Sequence, residues 1–267
     1  MLLKFSVVLA KLSFYSCLLI FLCAFGVTAQ QVKNLVIGVE DIAYYPYFDY
    51  TGSDTSLSKT ILDKFAADSG YTLTYVALPV KKFSKWLYEN DIDFKYPDNK
   101  RWHQPSATEH NAEYYSAPLF YLRAGTVVLL ENSDKPKTYF HSLGMISGFD
   151  PTLWREEIIK GEVSILDDSS TKVLIKHLVN GLVDGIDVDI AVANYYLNTL
   201  GLNHALTYSN TLPQDLFSHQ LSTIKYPEII EQFNQWLNAN HAFIQANLQQ
   251  FNIPKEEPVR PCAQLCP

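Results

Sequence analysis

Apolar and polar residues alternate along the chain in short blocks, and most blocks match the period of either a strand or a helix. Residues 35–39 are a continuous apolar run, which is typical of a buried strand. Apolar residues then recur at helical spacing over 57–69, and Gly70 follows where a glycine commonly ends a helix. Residues 71–76 alternate again, which predicts a second strand.

The same alternation continues through the rest of the chain. It predicts strands at 92–94, 121–130, 143–146, 163–166 and 183–188, and helices at 83–88, 151–160, 172–179, 190–200 and 227–251. Residues 95–113 are polar and show no period, which indicates a long loop. Strands that alternate with helices predict an α/β fold with largely parallel sheets, arranged in two blocks near 32–122 and 126–207.

The N-terminal segment has the features of an export signal. Lys4 and Lys11 supply positive charge, residues 12–25 are almost all apolar, and Ala29 ends a stretch of small residues. We expect a secretory signal peptide over 1–29, a mature chain that begins at Gln30 and a periplasmic location. An uncleaved membrane anchor is the alternative, but the apolar stretch is shorter than the roughly 20 residues that a spanning helix needs.

Two of the 4 cysteines, Cys262 and Cys266, lie in a proline-flanked C-terminal tail. In an oxidising compartment this spacing predicts a small disulfide loop. Free or intermolecular thiols are the alternative. A metal site would need more ligands, and the tail contains no histidine.

Composition and charge mainly exclude certain classes of protein. The chain of 267 residues is 48% hydrophobic and 18% charged, which excludes a disordered protein. Its formal net charge of -7 is opposite to that of most nucleic-acid binders. The sequence has no nucleophile elbow, zinc-protease motif or phosphate-binding glycine loop, so we predict neither an enzyme nor a cofactor.

Several segments, in this order, carry a resemblance to a known family. They are the first strand with Gly38 and the Tyr44-Tyr45-Pro46 turn, the helix and strand over 57–76, the run Tyr115-Ser116-Ala117-Pro118, and the run 181–189. This pattern resembles solute-binding protein family 3, the periplasmic proteins that bind polar amino acids. The resemblance covers nearly the whole predicted mature chain.

The resemblance implies two lobes joined by a hinge, with a ligand cleft between them that closes on the ligand. Lobe one would contain residues 30–122 and again 211–252, lobe two would contain 123–210, and 253–267 would form a tail. The hinge segments would lie near 122–127 and 207–214. We also expect a monomer.

Asp187 and Asp189 are the first candidate ligand residues. They end a predicted strand two positions apart, so their side chains share one face, and ligands of α/β sheets bind outside such strand ends. A carboxylate there can hold an ammonium group, and Asp189 matches the family position that contacts the ligand's amino group. The alternative for Asp189 is a helix N-cap, because a helix begins at Ile190.

Aromatic residues and a glycine turn supply the next candidates. Tyr44 matches an aromatic contact in the family's first loop, and Tyr45 lies beside it; packing of lobe one is the alternative for both. The turn at Gly148 and Phe149 precedes a predicted helix N-terminus with Asp150 as N-cap. The family uses this turn for the carboxylate end of its ligands.

The sequence departs from the family at one position. Amino-acid binders place an arginine about seven residues before the Phe-Ser-x-Pro element, and this chain has none there. Lys82 is one of several cations that could replace it; the others are Lys81, Arg101 and Arg123. Tyr96 and Trp102, with Phe149, could instead stack on a modified amino acid, a peptide-like compound or a polyamine.

Three functions therefore remain open from the sequence. The first is capture of a small polar solute, such as an amino acid, an amino-acid derivative or an amine, for uptake by an ABC-type permease. The second is a ligand-sensing module for a membrane signalling protein. The third is a dehydratase of cyclic amino acids on the same fold, with Asp189, Asp187 or Glu40 as a general acid.

Overall fold

The computed structural model describes residues 33–52, 55–102 and 112–256. The predicted signal peptide and the cysteine pair Cys262 and Cys266 lie outside these ranges. Within the described ranges, every helix is too short or too polar to span a bilayer.

The described strands form two sheets. The first sheet has the order β2-β1-β3-β11-β4, and β5 pairs with β11. Its strands are β1 (Lys33–Glu40), β2 (Tyr71–Leu78), β3 (Phe94–Asp98), β4 (Tyr114–Tyr115), β5 (Phe120–Ala124) and β11 (Asp215–Thr223). β1 and β3 are parallel, with Ile37 opposite Phe94, whereas β11 runs antiparallel to β3.

The second sheet has the order β10-β6-β9-β7-β8. Its strands are β6 (Thr126–Leu129), β7 (Ser142–Ile146), β8 (Ser164–Asp168), β9 (Gly185–Asp187) and β10 (Leu206–Tyr208). β7 runs parallel to both β8 and β9, so their carboxyl ends meet at one edge. The predicted α/β fold is confirmed. The expectation of largely parallel sheets is wrong, because β6 pairs antiparallel with β9 and β10, and β11 pairs antiparallel with β3, β4 and β5.

The described helices flank both sheets. They are α1 (Leu57–Ser69), α2 (Trp86–Glu89), α3 (Arg155–Lys160), α4 (Thr171–Val179), α5 (Ile190–Thr199), α6 (Pro227–Ala239) and α7 (His241–Gln250). α6 packs on β11 and β4, and α7 contacts α1. α6 therefore packs on the first sheet, and α7 packs on a helix that flanks it.

The chain passes between the sheets at two places. Gly125 separates β5 from β6, and residues 209–214 separate β10 from β11. A Cβ on Gly125 would lie 2.9 Å from the ring of Tyr208, so a side chain here would displace that ring. We call the elements of the first sheet lobe one and those of the second sheet lobe two. The exact lobe boundaries given above stay a prediction.

One hydrophobic core extends through both lobes. It joins Leu35, Ile37 and Val39 of β1 to Leu174 and Ile186 of lobe two. Smaller clusters lie around Trp86 on the other face of the first sheet and around Trp154 in lobe two. Burial of these apolar side chains, at about 25 cal/mol per Å², is the main source of stability.

Two predicted elements differ from the structure because polar residues are buried. Residues 95–98 were expected in a loop but continue β3, where Lys95 and Asp98 neutralise each other at 2.9 Å. The central strand β11 was not predicted, since its buried positions include Ser218, His219 and Ser222. A pattern based on apolar alternation does not detect such strands.

Two predicted helices also differ in their bounds. The helix expected after Asp150 begins only at Arg155, because residues 150–154 form turns in which Thr152 N–H donates to the Asp150 carbonyl at 2.8 Å. Asp150 is therefore not the N-cap. The helical region over 227–251 consists of two helices that meet at Asn240.

Candidate functional site

The candidate site lies where the carboxyl ends of the two sheets face each other. Lobe one contributes the end of β1 at Glu40 and the following loop, residues 41–48. Lobe two contributes the ends of β7 and β9 and the first residues of α4 and α5. This is the edge at which ligands of open α/β sheets bind.

A hydrogen bond between Tyr44 and Asp189 joins the lobes. The backbone N–H of Asp189 donates to the Tyr44 hydroxyl at 2.8 Å, and both residues are buried. The Tyr44 ring stacks on Phe48 at 5.3 Å and meets Phe149 of lobe two at 6.0 Å. The first aromatic loop is thus held against lobe two by both a polar and an aromatic contact.

Further contacts close the lobes beside this bond. The carbonyl of Ala43 accepts from the Tyr196 hydroxyl at 2.9 Å and from the Thr171 hydroxyl at 3.4 Å. Gly148 lies against Val80 and Lys81 of lobe one. A Cβ on Gly148 would be 3.2 Å from the backbone nitrogen of Lys81. The structure is therefore a closed arrangement of the two lobes.

Asp189 caps α5 and also faces this junction. Its Oδ1 accepts from the Ala191 N–H at 2.7 Å, and its Oδ2 lies 3.3 Å from the Tyr208 hydroxyl. Burial raises the pKa of Asp189 to about 6, against the lowering effect of the Ala191 N–H and of the Tyr47 and Tyr208 hydroxyls. The N-cap role is present, and a ligand contact stays a prediction.

Asp187 ends β9 beside Asp189 and is half-buried. No described residue forms a hydrogen bond or ion pair with its carboxyl group. Burial raises its pKa to about 7, and the negative charge of Asp150 adds to the shift. Asp187 is thus the more available of the two predicted carboxyl groups.

Glu40, at the end of β1, is a site residue that the ligand-binding prediction omitted. It is 4% exposed, and its Oε2 has no hydrogen-bond partner among the described residues. Burial, with a smaller contribution from Asp98, raises its pKa to about 8. Its position at the carboxyl end of the first strand was the sequence signal that could have identified it.

Three of the described cations around the site are already paired. Lys95 bonds Asp98, which also accepts from the Ser222 hydroxyl at 2.5 Å. Arg101, one of the suggested replacements for the family's arginine, forms an ion pair with Asp215. Arg123, another, binds Glu256 at 2.6 Å.

Lys81 and Lys82 differ from these paired cations. Both lie exposed in the 3-10 turn Val80–Lys85, and no described residue forms an ion pair or hydrogen bond with either side chain. They are therefore surface cations, and Lys81 lies beside the point where Gly148 meets lobe one.

The predicted aromatic residues lie in different environments. Tyr96 is fully buried in the core of lobe one, where its hydroxyl meets the Ser58 hydroxyl at 2.5 Å and His219 Nδ1 at 3.3 Å. This placement favours packing over stacking on a ligand. Trp102 is 40% exposed and contacts Phe217 at 5.9 Å.

Tyr45 and Phe149 sit on the two sides of the lobe junction. The ring of Tyr45 contacts Tyr195 of α5 at 4.2 Å, and Phe149 contacts Tyr44. Gly148 has a φ of 97°, which favours glycine, and the Phe149 N–H donates to Ile146. Because α3 starts only at Arg155, this turn does not present a helix N-terminus to an anion.

The described residues contain no group of three or more His, Cys, Asp or Glu side chains that could hold a metal ion. The chemistry available at the junction is instead that of carboxyl groups, phenol hydroxyls and aromatic faces. Such a set can bind a polar or cationic solute.

Comparison with known proteins relates the fold to one class. No family model and no curated protein matches the chain. Among solved structures, an arginine third transport system periplasmic binding protein from Legionella pneumophila is 13% identical, with a TM-score of 0.59, over 82% of this chain and 99% of that one. These values show a shared fold.

Two further structures have the same fold. An amino acid ABC transporter substrate-binding protein from Streptococcus pneumoniae, bound to L-arginine, is 14% identical with a TM-score of 0.62, over 84% of this chain and 95% of that one. An ancestral amino acid-binding protein, described as a precursor of cyclohexadienyl dehydratase, is 16% identical with a TM-score of 0.61, over 82% and 95%. The chain therefore has the two-lobed fold of periplasmic solute-binding proteins.

Proposed function

We propose that the protein captures a small polar solute between its two lobes and passes it to a membrane permease of the ABC type. The observation that carries the proposal is the lobe junction, where the Tyr44 hydroxyl of lobe one accepts a hydrogen bond from the Asp189 N–H of lobe two at 2.8 Å. Each lobe also ends a strand in a carboxyl residue at this edge, Glu40 of β1 and Asp187 of β9, and closure of two lobes around a solute needs polar groups from both.

The electrostatics of the junction support binding of a solute. Glu40 and Asp187 are carboxyl groups that lack partners among the described residues, and burial raises the pKa of each. A ligand group that bonds a carboxyl group of this kind offsets the cost of its burial. Glu40 belongs to lobe one and Asp187 to lobe two, so a ligand that bonds both would stabilise the closed form.

A thermal-shift screen with amino acids, amines and small peptides tests this function. A solute present at 100 times its dissociation constant should add about 2.7 kcal/mol to stability. Small-angle scattering with and without that solute should show a more compact ligand-bound form. Absence of any stabilising solute, in a panel that covers these classes, would contradict the proposal.

The dehydratase remains a second candidate because of one observation. Glu40 is buried at the end of β1 with Oε2 unpartnered, and burial raises its pKa to about 8, which favours the protonated form that a general acid needs. Mass spectrometry of the bound solute after prolonged incubation separates the two functions. Transport capture predicts an unchanged mass, whereas dehydration predicts loss of one water.

A role in sensing differs only in the membrane partner. Pull-down from detergent-solubilised membranes, in the presence of the stabilising solute, should recover a permease under our proposal. Recovery of a signalling receptor instead would assign the protein to sensing.

A further inference from the structure

The two connections between the lobes are hydrogen-bonded to each other. The Ser209 N–H donates to the Thr126 carbonyl at 2.9 Å, and the Gln214 side-chain amide donates to the Ser209 carbonyl at 3.2 Å. A Cβ on Gly125 would lie 3.2 Å from the Gln214 side chain. The connection at Gly125 and the connection at residues 209–214 therefore form one packed unit, which we call the hinge unit.

Arg123, two residues before Gly125, contacts the hinge unit through its side chain. Its Nη1 donates to Gln214 Oε1 at 3.3 Å, and its Nε and Nη2 donate to the two carboxylate oxygens of Glu256 at 3.0 and 2.6 Å. An arginine that bonds both oxygens of one carboxylate is fixed in direction as well as in distance. The guanidinium group of Arg123 therefore joins the second connection to Glu256.

Glu256 belongs to the segment that follows α7, residues 251–256, which we call the C-terminal strap. Ile253 anchors the strap to lobe one, because its side chain is buried in the core and its N–H donates to the Leu248 carbonyl at 2.9 Å. The strap thus runs from the last helix of lobe one to the hinge unit. It lies outside both connections between the lobes and still bonds them through Arg123.

The backbone carbonyl of Arg123 bonds a different partner, Tyr208 of lobe two. The Tyr208 hydroxyl donates to this carbonyl at 2.8 Å and accepts from the N–H of Ile190, the first residue of α5, at 3.0 Å. Its oxygen also lies 3.3 Å from Asp189 Oδ2. Because a hydroxyl group has one proton, the shorter contact to the carbonyl receives most of it. One phenol therefore links Arg123 to the backbone that presents Asp189.

Two of these bonds cross from lobe one to lobe two. The first joins the Arg123 carbonyl to the Tyr208 hydroxyl, and the second joins the Tyr44 hydroxyl to the Asp189 N–H. Their geometry depends on the angle between the lobes, since each has one partner on either side. A residue that fixes the Arg123 backbone therefore also affects how the lobes close at Asp189.

We propose that Arg123 is a positioning residue for lobe closure: the C-terminal strap holds its side chain through Glu256, and its carbonyl holds Tyr208 and with it the start of α5. Arg123 then acts at the hinge and does not contact the solute. The inference goes beyond the proposed solute capture, because it assigns control of closure to a segment outside the cleft and both connections.

The size of the expected effect follows from the exposure of the ion pair. The side chains of Arg123 and Glu256 are 38% and 18% exposed, so water screens part of their attraction. An ion pair of this kind changes an equilibrium by roughly two- to fivefold. The apolar core of lobe one does not depend on it, so global stability should change little.

Amide hydrogen exchange, measured residue by residue on the full chain without added solute, tests this inference. The reporters are the N–H groups of Asp189 and Ile190, which bond Tyr44 and Tyr208. Glu256→Gln should speed exchange of both amides roughly two- to fivefold. Exchange of the amides of the central strand β1 should stay at the wild-type rate, because that strand reports on global unfolding.

A matched ion pair elsewhere supplies the control. Lys137 and Glu157 pair at 2.5 Å within lobe two, and their side-chain exposures of 41% and 16% nearly equal those of Arg123 and Glu256. Glu157→Gln should therefore leave exchange at Asp189 and Ile190 unchanged. The double variant Arg123→Glu with Glu256→Arg restores an ion pair at the same place and should return both amides to the wild-type rate.

A second variant approaches the same link from lobe two. Tyr208→Phe keeps the ring beside Gly125 and removes the hydroxyl that bonds Arg123 and Ile190. It should speed exchange at Asp189 and Ile190 at least as much as Glu256→Gln, and it makes the test if Glu256→Gln does not fold.

The outcomes separate this inference from the proposed function. Wild-type exchange at Asp189 and Ile190 in Glu256→Gln would overturn the role of the strap, and equal acceleration in Glu157→Gln would do the same. Acceleration that extends to β1 would reduce the ion pair to a general stabilising contact and so overturn it too. Failure of all solutes in the thermal-shift screen would overturn solute capture and leave the hinge role of Arg123 in place.

Discussion

Replacement of Tyr44 by phenylalanine removes one oxygen atom from the lobe junction. The Tyr44 hydroxyl accepts the Asp189 N–H at 2.8 Å, and Asp189 is 5% exposed. In the closed form the variant leaves this buried N–H without its partner, whereas in an open form water can reach it. The substitution therefore acts mainly on closure.

The size of the effect follows from this asymmetry. A buried donor left without a partner costs about 1–3 kcal/mol, which corresponds to roughly a 5- to 150-fold loss of affinity for a ligand that requires closure. The phenylalanine ring can keep the contacts with Phe48 and Phe149. The packing of lobe one should consequently change little.

The assay compares two tyrosine-to-phenylalanine variants by titration calorimetry and thermal unfolding. Tyr50 belongs to the same aromatic cluster, but its buried hydroxyl has no hydrogen-bond partner among the described residues. Tyr50→Phe should therefore leave affinity unchanged and the melting temperature unchanged or slightly higher. Equal affinities of wild type and Tyr44→Phe would refute our account of closure.

Two further predictions concern pH and the glycine turn. Burial raises the pKa of Glu40, Asp187 and Asp189, so without ligand these groups bind more protons in the folded than in the unfolded state. The free energy of unfolding should therefore fall as pH rises from about 5 to 8. The slope is up to about 1.4 kcal/mol per pH unit for each group that is protonated only in the folded state. Thermal unfolding at several pH values measures this slope, which Glu40→Gln should flatten; an unchanged slope in that variant would count against a raised pKa of Glu40. Gly148→Ala should weaken ligand binding, because a Cβ there presses on Lys81 at 3.2 Å and the φ of 97° is unfavourable for alanine. Gly161→Ala is the control, since Gly161 also has a positive φ but an added Cβ would meet no atom within 4 Å; equal affinities of the two variants would show that the lobe contact is irrelevant.

Elements with a regular apolar pattern and a glycine stop were predictable from the sequence. A glycine with a positive φ follows each of α3, α4 and α5. These are Gly161, Gly181 and Gly201, with φ values of 74°, 69° and 65° respectively. Left-handed residues at helix ends are commonly glycine, so these boundaries can be recognised locally. The parallel strands of lobe two are short apolar runs between such helices.

Elements stabilised by distant polar partners were not predictable. Lys95 can lie in a strand because Asp98 neutralises it, and Asp98 is in turn bonded by Ser222 from β11. This arrangement depends on a strand more than a hundred residues further along the chain, which no local pattern reveals. The same reason applies to β11, whose buried polar residues interrupt the apolar alternation.

The site was predictable only in part. Asp187, Asp189, Tyr44 and Phe149 lie near the lobe junction, because strand ends and the first loop can be located from the order of elements. The burial of Glu40 and the lack of a partner for its Oε2 depend on residues far away in the sequence, such as Asp98 of β3, which no local pattern reveals.

The most direct test of solute capture at the lobe junction is the affinity of Asp189→Asn for the solute that stabilises the wild-type protein. Asparagine also caps helices well, so the cap at Ala191 should be retained and the melting temperature without ligand should change by little. We expect one solute per chain in the wild type and a loss of roughly 2–5 kcal/mol of binding free energy in the variant if a cationic group of the solute pairs with Asp189. A dissociation constant in Asp189→Asn equal to that of the wild type would contradict binding at this junction.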